Sequence, residues 1–195
     1  MIKNGFKKNV IVNYSDTDTD FALKPFALLN FLQDIAGKNA DELGFGYSYI
    51  HPRNLIWVIL KYRMEFKEYP IGCNDLTILT EPRGFNKLFA YRDFELYKAD
   101  DCIGRIFSLW ALVDANNKSM VPVQTALLNH PKMQPFAKRE DDLSFSKIKP
   151  VTNPFITEEF KVRYNDIDLN GHANNGNYII WAFEPLSYDF RLKHK

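Results

Sequence analysis

A short tract occurs twice in this chain, and this repeat constrains the fold more than any other feature of the sequence. Val12–Asp18 reads VNYSDTD, and Val162–Asp168, 150 residues later, reads VRYNDID. The valine, the tyrosine and both aspartates recur at the same spacing. Apolar residues alternate with other residues up to the tyrosine of each copy, which is typical of a strand. The sequence therefore predicts one structural unit that is present twice.

The two copies diverge just beyond the shared aspartates. The first copy continues into the apolar residues Phe21, Ala22 and Leu23, whereas the second continues as Asn170–Asn175, which reads NGHANN. Polar side chains that only one of two related units carries are not required by their common fold. This asymmetry indicates that the chemistry of the protein lies in the second unit.

The first unit follows the order strand, helix and then four strands. The helix has Pro25 at a plausible first position, is apolar on nearly every side and is ended by Gly44 and Gly46. Period-two patterns between turn residues predict strands at Val10–Tyr14, Ile56–Phe66, from Leu76 to a turn at Pro82–Gly84, Leu88–Tyr97 and Ile103–Val113. A helix this apolar must be covered by other elements. The expected fold is therefore α+β, a hot-dog fold in which an antiparallel sheet curls around the helix.

The chain divides into three parts on this interpretation. Residues 1–117 form the first hot-dog repeat. Residues 118–154 form a proline-rich linker with a short helix near Gln124–Leu128. Residues 155–195 form the start of a second hot-dog repeat and carry the polar cluster.

The second repeat is predicted to have a strand at Phe160–Tyr164 and a helix from about Asn175 through Phe190. The four strands that follow the helix in the first repeat have no counterpart before Lys195. The expected architecture is a tandem, or double, hot-dog whose second repeat is incomplete. Such a chain is a fragment, a truncated natural protein, or one whose missing strands come from a partner.

The composition is ordinary for a soluble globular protein. Apolar residues make up 46% of the chain and the formal net charge is +1, which gives no reason to expect nucleic acid or an anionic membrane surface as a partner. No apolar run approaches the ~18 residues that cross a bilayer, and the lysines near the start are not followed by the apolar stretch of a signal peptide. Cys73 and Cys102 lack CxxC spacing, so two reduced thiols and a cytoplasmic location are expected.

Asp166–Gly171 matches the beginning of a calcium-binding EF-hand loop, with oxygen ligands at alternate positions and glycine sixth. Such a loop needs a bidentate glutamate at its twelfth position, which is Asn177 here. The first copy has Phe21 in place of the glycine. The residues before the loop also alternate as in a strand, whereas an EF-hand loop follows a helix. We therefore expect no metal site.

Asp168, Asn170 and His172 fit a different chemistry. They lie where a strand passes into a buried helix, a place that exposes unpaired backbone N–H groups and the positive end of the helix dipole. Each well-placed donor there would stabilise the oxyanion of an acyl carbonyl by ~3 kcal/mol. His172 is suited to proton transfer near neutral pH, with Asp168 holding its ring in one tautomer. The alternative is that Asp168 and Asn170 only cap the helix and make turn hydrogen bonds, but the repeat asymmetry favours an active site.

The segment from Arg163 to Trp181 resembles the signature of acyl-acyl-carrier-protein thioesterases, R-x-x-D-x-D-x-N-x-H-x-N-N-x-x-Y-x-x-W, with unbroken spacing. Asn54–Val58 and Ser108–Asp114 are similar to other stretches of that family. The resemblance implies a double hot-dog enzyme that hydrolyses fatty acyl thioesters on acyl carrier protein in fatty acid biosynthesis, releasing free fatty acid without a cofactor.

The same resemblance implies that Asp168, Asn170 and His172 are the catalytic residues and that the helical region of the first repeat forms much of the acyl pocket. It also implies a further acidic residue, with a cysteine beside it in some members, on a strand after the second helix, which this sequence does not reach. Neither Cys73 nor Cys102 matches that position by motif.

Acyl carrier protein is the expected partner, and a homodimer is a further expectation. Because the carrier is acidic, a basic docking patch is expected on the enzyme. The available basic residues are Lys132, Lys138, Arg139, Arg191 and Lys193. Two other functions stay open, namely hydrolysis of acyl-coenzyme A and a non-catalytic acyl-binding hot-dog protein. The pocket depth that sets acyl chain length does not follow from the sequence pattern.

Overall fold

Six strands and five α-helices make up the part of the chain that the computed structural model describes, residues 2, 5–72, 75–127 and 130–194. The strands are β1 (Phe6–Ile11), β2 (Leu55–Phe66), β3 (Asp75–Phe85), β4 (Phe89–Lys98), β5 (Asp101–Asp114) and β6 (Met120–Val121). The helices are α1 (Pro25–Leu43), α2 (Tyr47–Ile50), α3 (Val123–Leu127), α4 (Asn175–Phe183) and α5 (Tyr188–Lys193). The sequence predictions made for Cys73 and Leu128 fall outside the described residues.

The strands form one antiparallel sheet in the order β1-β3-β4-β5-β2, with the short β6 beside β5. Each of the five long strands overlaps its predicted segment, which confirms the order strand, helix and four strands. The predicted end of β3 is wrong, because the strand continues through Pro82–Gly84 to Phe85 with a shift of register. Gly84 has a φ of +96° at this bulge, so the glycine serves a bulge inside the strand rather than a turn.

α1 lies across one face of the sheet and forms the core with it. Pro25 occupies its first turn, and Gly44 ends it in the left-handed conformation with a φ of +88°, as predicted. The apolar residues of α1 that are buried against the sheet are Ala27, Leu28, Leu29, Leu32, Ile35, Ala36 and Ala40. The opposite side of the helix exposes Asp34 and Lys38. The sheet therefore covers α1 on one side, as in a hot-dog fold, and does not enclose it completely.

The linker is fastened to the first repeat by a buried ion-pair cluster and by stacked rings. The Arg83 guanidinium on β3 pairs with Asp93 and with Asp142 of the linker, each at 2.6 Å. The Phe136 ring of the linker stacks on Tyr91 of β4 with 4.1 Å between ring centroids. Asp93 and Tyr91 alternate with inward-facing residues of β4 and therefore lie on the sheet face opposite α1. The linker thus covers the outer face of the sheet.

The strand predicted at Phe160–Tyr164 is wrong. Residues 155–163 belong to no strand, and Tyr164 begins a short 3-10 turn that ends at Asp166. A strand is held by hydrogen bonds to a neighbouring strand. In the first repeat β1 pairs with β3, whereas no described strand lies beside residues 155–163. The alternating sequence pattern alone was therefore insufficient to predict a strand.

The single helix predicted from Asn175 through Phe190 is also wrong. α4 ends at Phe183, and α5 begins at Tyr188 after a break that contains Pro185. Proline has no backbone N–H, so the hydrogen bond that would continue α4 at this residue cannot form. The side chain of Ser187 then caps α5 by accepting a hydrogen bond from the Phe190 N–H at 3.2 Å.

α4 packs against α1 close to the first turn of both helices. A Cβ atom added to Gly176 would lie 2.7 Å from Cδ2 of Phe26, so the glycine allows the close approach. Phe26 and Gly176 are equivalent positions of the repeat, 150 residues apart. Contact between equivalent residues is expected at an approximate two-fold axis that relates two similar units. The structure thus supports the duplication inferred from the sequence.

Candidate active site

The loop that leads into α4 is held together by the carboxylate of Asp168. Its Oδ1 accepts hydrogen bonds from the backbone N–H groups of Asn170 at 2.8 Å and His172 at 3.2 Å. The backbone N–H of Asp168 donates to the carbonyl oxygen of His172 at 2.8 Å. Gly171, at the tip of the loop, has a φ of +73°. One short loop therefore contains the three predicted catalytic residues.

The loop that leads into α1 has the same hydrogen bonds at the equivalent positions. Oδ1 of Asp18 accepts from the backbone N–H groups of Asp20 at 2.8 Å and Ala22 at 3.0 Å, and its own N–H donates to the Ala22 carbonyl at 2.8 Å. Phe21 has a φ of +59°, although this conformation is unfavourable for a bulky residue. The backbone of this loop is thus common to both repeats, and only its side chains differ.

The carboxylate of Asp168 therefore makes the turn hydrogen bonds that the structural alternative predicts. Among the described residues, the structure gives no hydrogen bond from the imidazole of His172 to that carboxylate. Asp168 positions His172 through the backbone instead of holding its ring. The catalytic roles predicted for the three residues stay predictions, and the geometry assigns Asp168 to the support of the other two.

The position equivalent to His172 in the first repeat is covered by the segment between β2 and β3. The residue there, Ala22, is 3% exposed and forms a bridge with Ile71, which lies between β2 and β3. The neighbouring Leu23 N–H donates to the carbonyl of Pro70 at 2.9 Å. His172 itself is half-buried. An imidazole therefore occupies in the second loop the position that a buried alanine occupies in the first.

The first turn of α4 lies directly after the loop. The Asn174 side chain caps this nine-residue helix by accepting a hydrogen bond from the Gly176 N–H at 2.8 Å. Backbone N–H groups and the partial positive charge of a helix N-terminus favour an anionic or strongly polarised oxygen nearby. The arrangement can polarise a carbonyl group held next to His172.

Two further residues fix the loop to α4. Asp166 is buried, and its carboxylate pairs with the Arg163 guanidinium at 3.0 Å and accepts from the Arg163 N–H at 2.8 Å. Hydrogen bonding to Arg163 holds the pKa of Asp166 below its usual value. The Asn177 side chain donates to the Asp166 carbonyl oxygen at 2.9 Å. Sequence reasoning missed Asn177 as a supporting residue, because its partner is a main-chain atom that no side-chain pattern indicates.

The basic residues considered for carrier docking fall into separate places. Lys132, Lys138 and Arg139 line a groove of about 230 Å³ beside the bulge of β3. Arg191 and Lys193 are on α5, which approaches the first repeat where Tyr188 donates to the Thr19 hydroxyl at 3.4 Å. The structure does not bring these five residues together into one patch.

No cluster of three or more histidine, cysteine, aspartate or glutamate side chains within the described ranges is placed to hold a metal ion. In the same part of the chain, no helix has both the length and the apolar character needed to cross a membrane.

Comparison with known proteins places both repeats in one family. Residues 3–130 match the acyl-ACP thioesterase N-terminal domain, and residues 149–195 match the acyl-ACP thioesterase C-terminal domain. An oleoyl-acyl carrier protein thioesterase of Coriandrum sativum is 23% identical over 97% of this chain and 56% of its own length. A palmitoyl-acyl carrier protein thioesterase of Cuphea hookeriana is 25% identical over 92% of this chain and 46% of its own length. The chain spans about half the length of these relatives.

Solved structures show the same fold. An acyl-ACP thioesterase of Bacteroides thetaiotaomicron superposes with a TM-score of 0.77 at 24% identity, covering 94% of this chain and 74% of that structure. The 12:0-ACP thioesterase of Umbellularia californica gives a TM-score of 0.74 at 20% identity, covering 94% of this chain and 75% of that structure. The hot-dog fold expected from the sequence is thereby confirmed. With the domain matches over both repeats, the resemblance seen in the sequence is confirmed as well, and the chain belongs to the acyl-ACP thioesterase family.

Proposed function

We propose that the protein hydrolyses fatty acyl thioesters carried on acyl carrier protein and releases the free fatty acid. Membership of the family and the uninterrupted signature from Arg163 to Trp181 support this proposal. The observation that carries it is that the second loop keeps the backbone of the first but carries the half-buried side chains of Asn170 and His172, where the first has Asp20 and the buried Ala22. Similar relatives are named as thioesterases of oleoyl- and palmitoyl-acyl carrier protein.

The proposed reaction places the thioester carbonyl between His172 and the first turn of α4. Its oxygen points at the helix N-terminus and the Asn170 amide, where N–H donors stabilise the negative charge that develops in the transition state. Asp168 contributes indirectly, since its carboxylate holds the backbone of both other residues. This geometry provides an oxyanion site next to a proton-transfer group.

His172 carries the proton in this scheme. It accepts a proton from water as the water oxygen forms a bond to the carbonyl carbon, which gives a tetrahedral oxyanion. The carbon–sulfur bond then breaks, the carbonyl re-forms, and the imidazolium returns its proton to the leaving thiolate. The products are the fatty acid and the free thiol of the carrier, so no oxidant, reductant or cofactor is required.

The acyl chain is proposed to lie between α1 and the sheet of the first repeat. This region contains the largest apolar cluster, and the first turn of α1 contacts α4 at Phe26 and Gly176. The first turn of α4, directly after the loop of His172, is therefore in contact with the N-terminal end of α1. Transfer of methylene groups from water into such a region is favourable by ~0.8 kcal/mol each.

The carrier protein, a homodimer and a cytoplasmic location belong to the same proposal. The carrier is supported by the names of the relatives, while the dimer and the location rest on the sequence expectations alone. Thiol release measured side by side on acyl-carrier-protein and acyl-coenzyme A substrates would separate the two hydrolase functions. Acyl binding without thiol release would instead indicate a non-catalytic acyl-binding protein.

The decisive variant is His172→Ala, with His51→Ala as the matched control. Alanine is already present at the equivalent Ala22, in a loop with the same backbone, so the variant should fold normally. A general acid–base group contributes ~10²–10⁴ in rate, and we expect a loss of that size in thiol release. The exposed His51 lies beyond the far end of α1, and its replacement should leave turnover unchanged. Equal turnover of wild type and His172→Ala would refute the proposed role.

A further inference from the structure

The second repeat carries a buried amide that its counterpart in the first repeat lacks. Asn177, in the first turn of α4, is 7% exposed, and the residue 150 positions earlier is Ala27, which is 5% exposed. Burying an amide where a methyl group suffices costs free energy unless the hydrogen bonds of the amide are made. Asn177 is therefore a second position, besides His172, where one repeat has a polar residue that the common fold does not require.

The side chain of Asn177 reaches the base of the loop that contains His172. Its Nδ2 donates to the carbonyl oxygen of Asp166 at 2.9 Å. The same oxygen accepts the backbone N–H of Asn174 at 2.8 Å, and this second bond closes the loop over residues 166–174. The bond from Asn177 joins the closed end of the loop to the helix.

The loop of the first repeat is closed in the same way without such a side chain. The Lys24 N–H donates to the carbonyl oxygen of Asp16 at 2.8 Å, which is the counterpart of the bond from Asn174. Ala27 has no side-chain donor for that oxygen. Closure of the loop therefore needs only the backbone bond, and the amide of Asn177 adds a connection that closure does not need.

This connection lies between the two parts of the proposed catalytic site. His172 and Asn170 belong to the loop, whereas the N–H groups at the helix N-terminus belong to the first turn of α4. Asp168 fixes the loop internally, because its carboxylate binds backbone N–H groups within it. Asn177 fixes the loop relative to the helix. The distance between the imidazole and the helix N-terminus therefore depends in part on the amide of Asn177.

We infer that Asn177 is a positioning residue that holds His172 and Asn170 at a fixed distance from the first turn of α4. It acts through the main chain of Asp166, since its own side chain is buried. The inference rests on the proposed function in so far as these groups catalyse the hydrolysis. Position 177 is one of the unspecified positions of the signature from Arg163 to Trp181, so the resemblance does not imply this role.

The first test is Asn177→Ala in the full chain. Alanine occupies the equivalent buried position of the first repeat, so the variant should fold. We expect kcat for thiol release from an acyl-carrier-protein substrate to fall about tenfold or more, with KM within about twofold of wild type. A kcat within about twofold of wild type would overturn the inference, as would a rise in KM with kcat unchanged.

Tyr69→Phe is the matched control on the first loop. The Tyr69 hydroxyl donates to the carbonyl oxygen of Leu23 at 2.6 Å, so this variant also removes one bond from a side chain to a carbonyl of a loop. Both variants should lower the melting temperature by ~2–4 °C, but only Asn177→Ala should lower kcat. Equal losses of kcat would show that both bonds act through stability alone, and the inference would fail.

A second variant separates the hydrogen bond from packing. Asn177→Leu keeps a branched side chain of similar shape but has no donor, so its kcat should fall as in Asn177→Ala. A wild-type kcat in Asn177→Leu would assign the effect to packing and overturn the inference.

Hydrogen exchange of single backbone amides tests the inference without turnover. In Asn177→Ala the amides of Asn174 and Asp168, which donate to carbonyl oxygens of the loop, should exchange roughly fivefold faster. The equivalent amides of Lys24 and Asp18 should keep their wild-type rates. Unchanged exchange at Asn174 and Asp168 would overturn the inference even if kcat fell. A wild type that releases no thiol, with the expected changes in exchange, would contradict the proposed hydrolysis alone.

Discussion

Replacing Asp18 and Asp168 by asparagine, one at a time, tests whether the two loops differ in function although they share a backbone. Oδ1 of Asp18 accepts two backbone N–H groups at 2.8 and 3.0 Å, and Oδ1 of Asp168 accepts two at 2.8 and 3.2 Å. Both aspartates are half-buried. The two substitutions therefore remove the same kind of interaction from two half-buried carboxylates.

The expected loss of stability follows from these hydrogen bonds. A bond to a charged acceptor contributes ~1.5–3 kcal/mol and one to a neutral acceptor ~0.5–1.5 kcal/mol. Asparagine keeps a neutral Oδ1 in place, and solvent screening reduces the difference at a half-buried site. Each variant should lose about 1 kcal/mol of unfolding free energy, which lowers the melting temperature of a chain of this size by ~2–4 °C.

The expected effect on activity is different for the two variants. Asp168 holds the backbone of Asn170 and His172, and a displacement of catalytic groups by ~1 Å can cost 10²-fold in rate. We expect about that loss in kcat for Asp168→Asn and a change within about threefold for Asp18→Asn. Calorimetry gives the melting temperatures, and thiol release well below them gives kcat. Equal losses of kcat with equal shifts of melting temperature would show that both aspartates are purely structural, and the reasoning would be refuted.

Three further perturbations follow from the packing. Ala36→Phe adds a ring to the apolar side of α1, where Ala36 is 3% exposed. The released fatty acids, measured by gas chromatography, should become shorter, and an unchanged product profile would place the acyl pocket elsewhere. Gly176→Ala should destabilise the protein by ~1–3 kcal/mol through contact with Phe26, and Phe26→Leu should restore part of that loss in urea unfolding. Arg83→Met leaves buried carboxylates without their cation and should cost ~3–5 kcal/mol. Hydrogen bonds from Arg83 and from the Arg139 N–H outweigh burial and lower the pKa of Asp142 in the folded state. The ionised carboxylate of Asp142 therefore contributes fully to the stability of the fold above its unfolded pKa, and this contribution is lost as the pH falls through its folded pKa. Urea unfolding across the acid range should therefore show the penalty of Arg83→Met shrinking below about pH 4.

The elements of the first repeat were predictable because their signals are local. Pro25 and Gly44 mark the ends of α1 through their own backbone preferences, and alternation marks β2, β4 and β5. The prediction was wrong where a distant partner decides the outcome. Pro82–Gly84 reads as a turn by composition, yet pairing with β4 turns it into a bulge within β3.

The strand predicted at Phe160–Tyr164 is a second case in which a distant segment decides the local structure. Its sequence pattern repeats that of the first copy, but a strand also needs hydrogen-bonding partners, and no described strand pairs with it. Pro185 is in contrast a local signal for the break between α4 and α5, which the single predicted helix did not include.

The sequence by itself determined where to look for the active site. The repeat identified Asp168, Asn170 and His172, because side chains kept in only one of two related units are not needed by the fold. Only the tertiary structure decided what the carboxylate of Asp168 contacts. It directs that carboxylate to the backbone of the loop and covers Ala22, the equivalent of His172, with the segment at Ile71.

The hydrogen-bonded polar side chains inside the core depend even more on tertiary structure. Asn39, Thr80 and Arg92 come from a helix and two strands, and nothing in their sequence neighbourhoods indicates that they meet. Residue identity and local backbone preference are properties of short segments and can be read along the chain. The contacts of a buried polar group are made between distant segments, so they exist only once the helix has packed on the sheet.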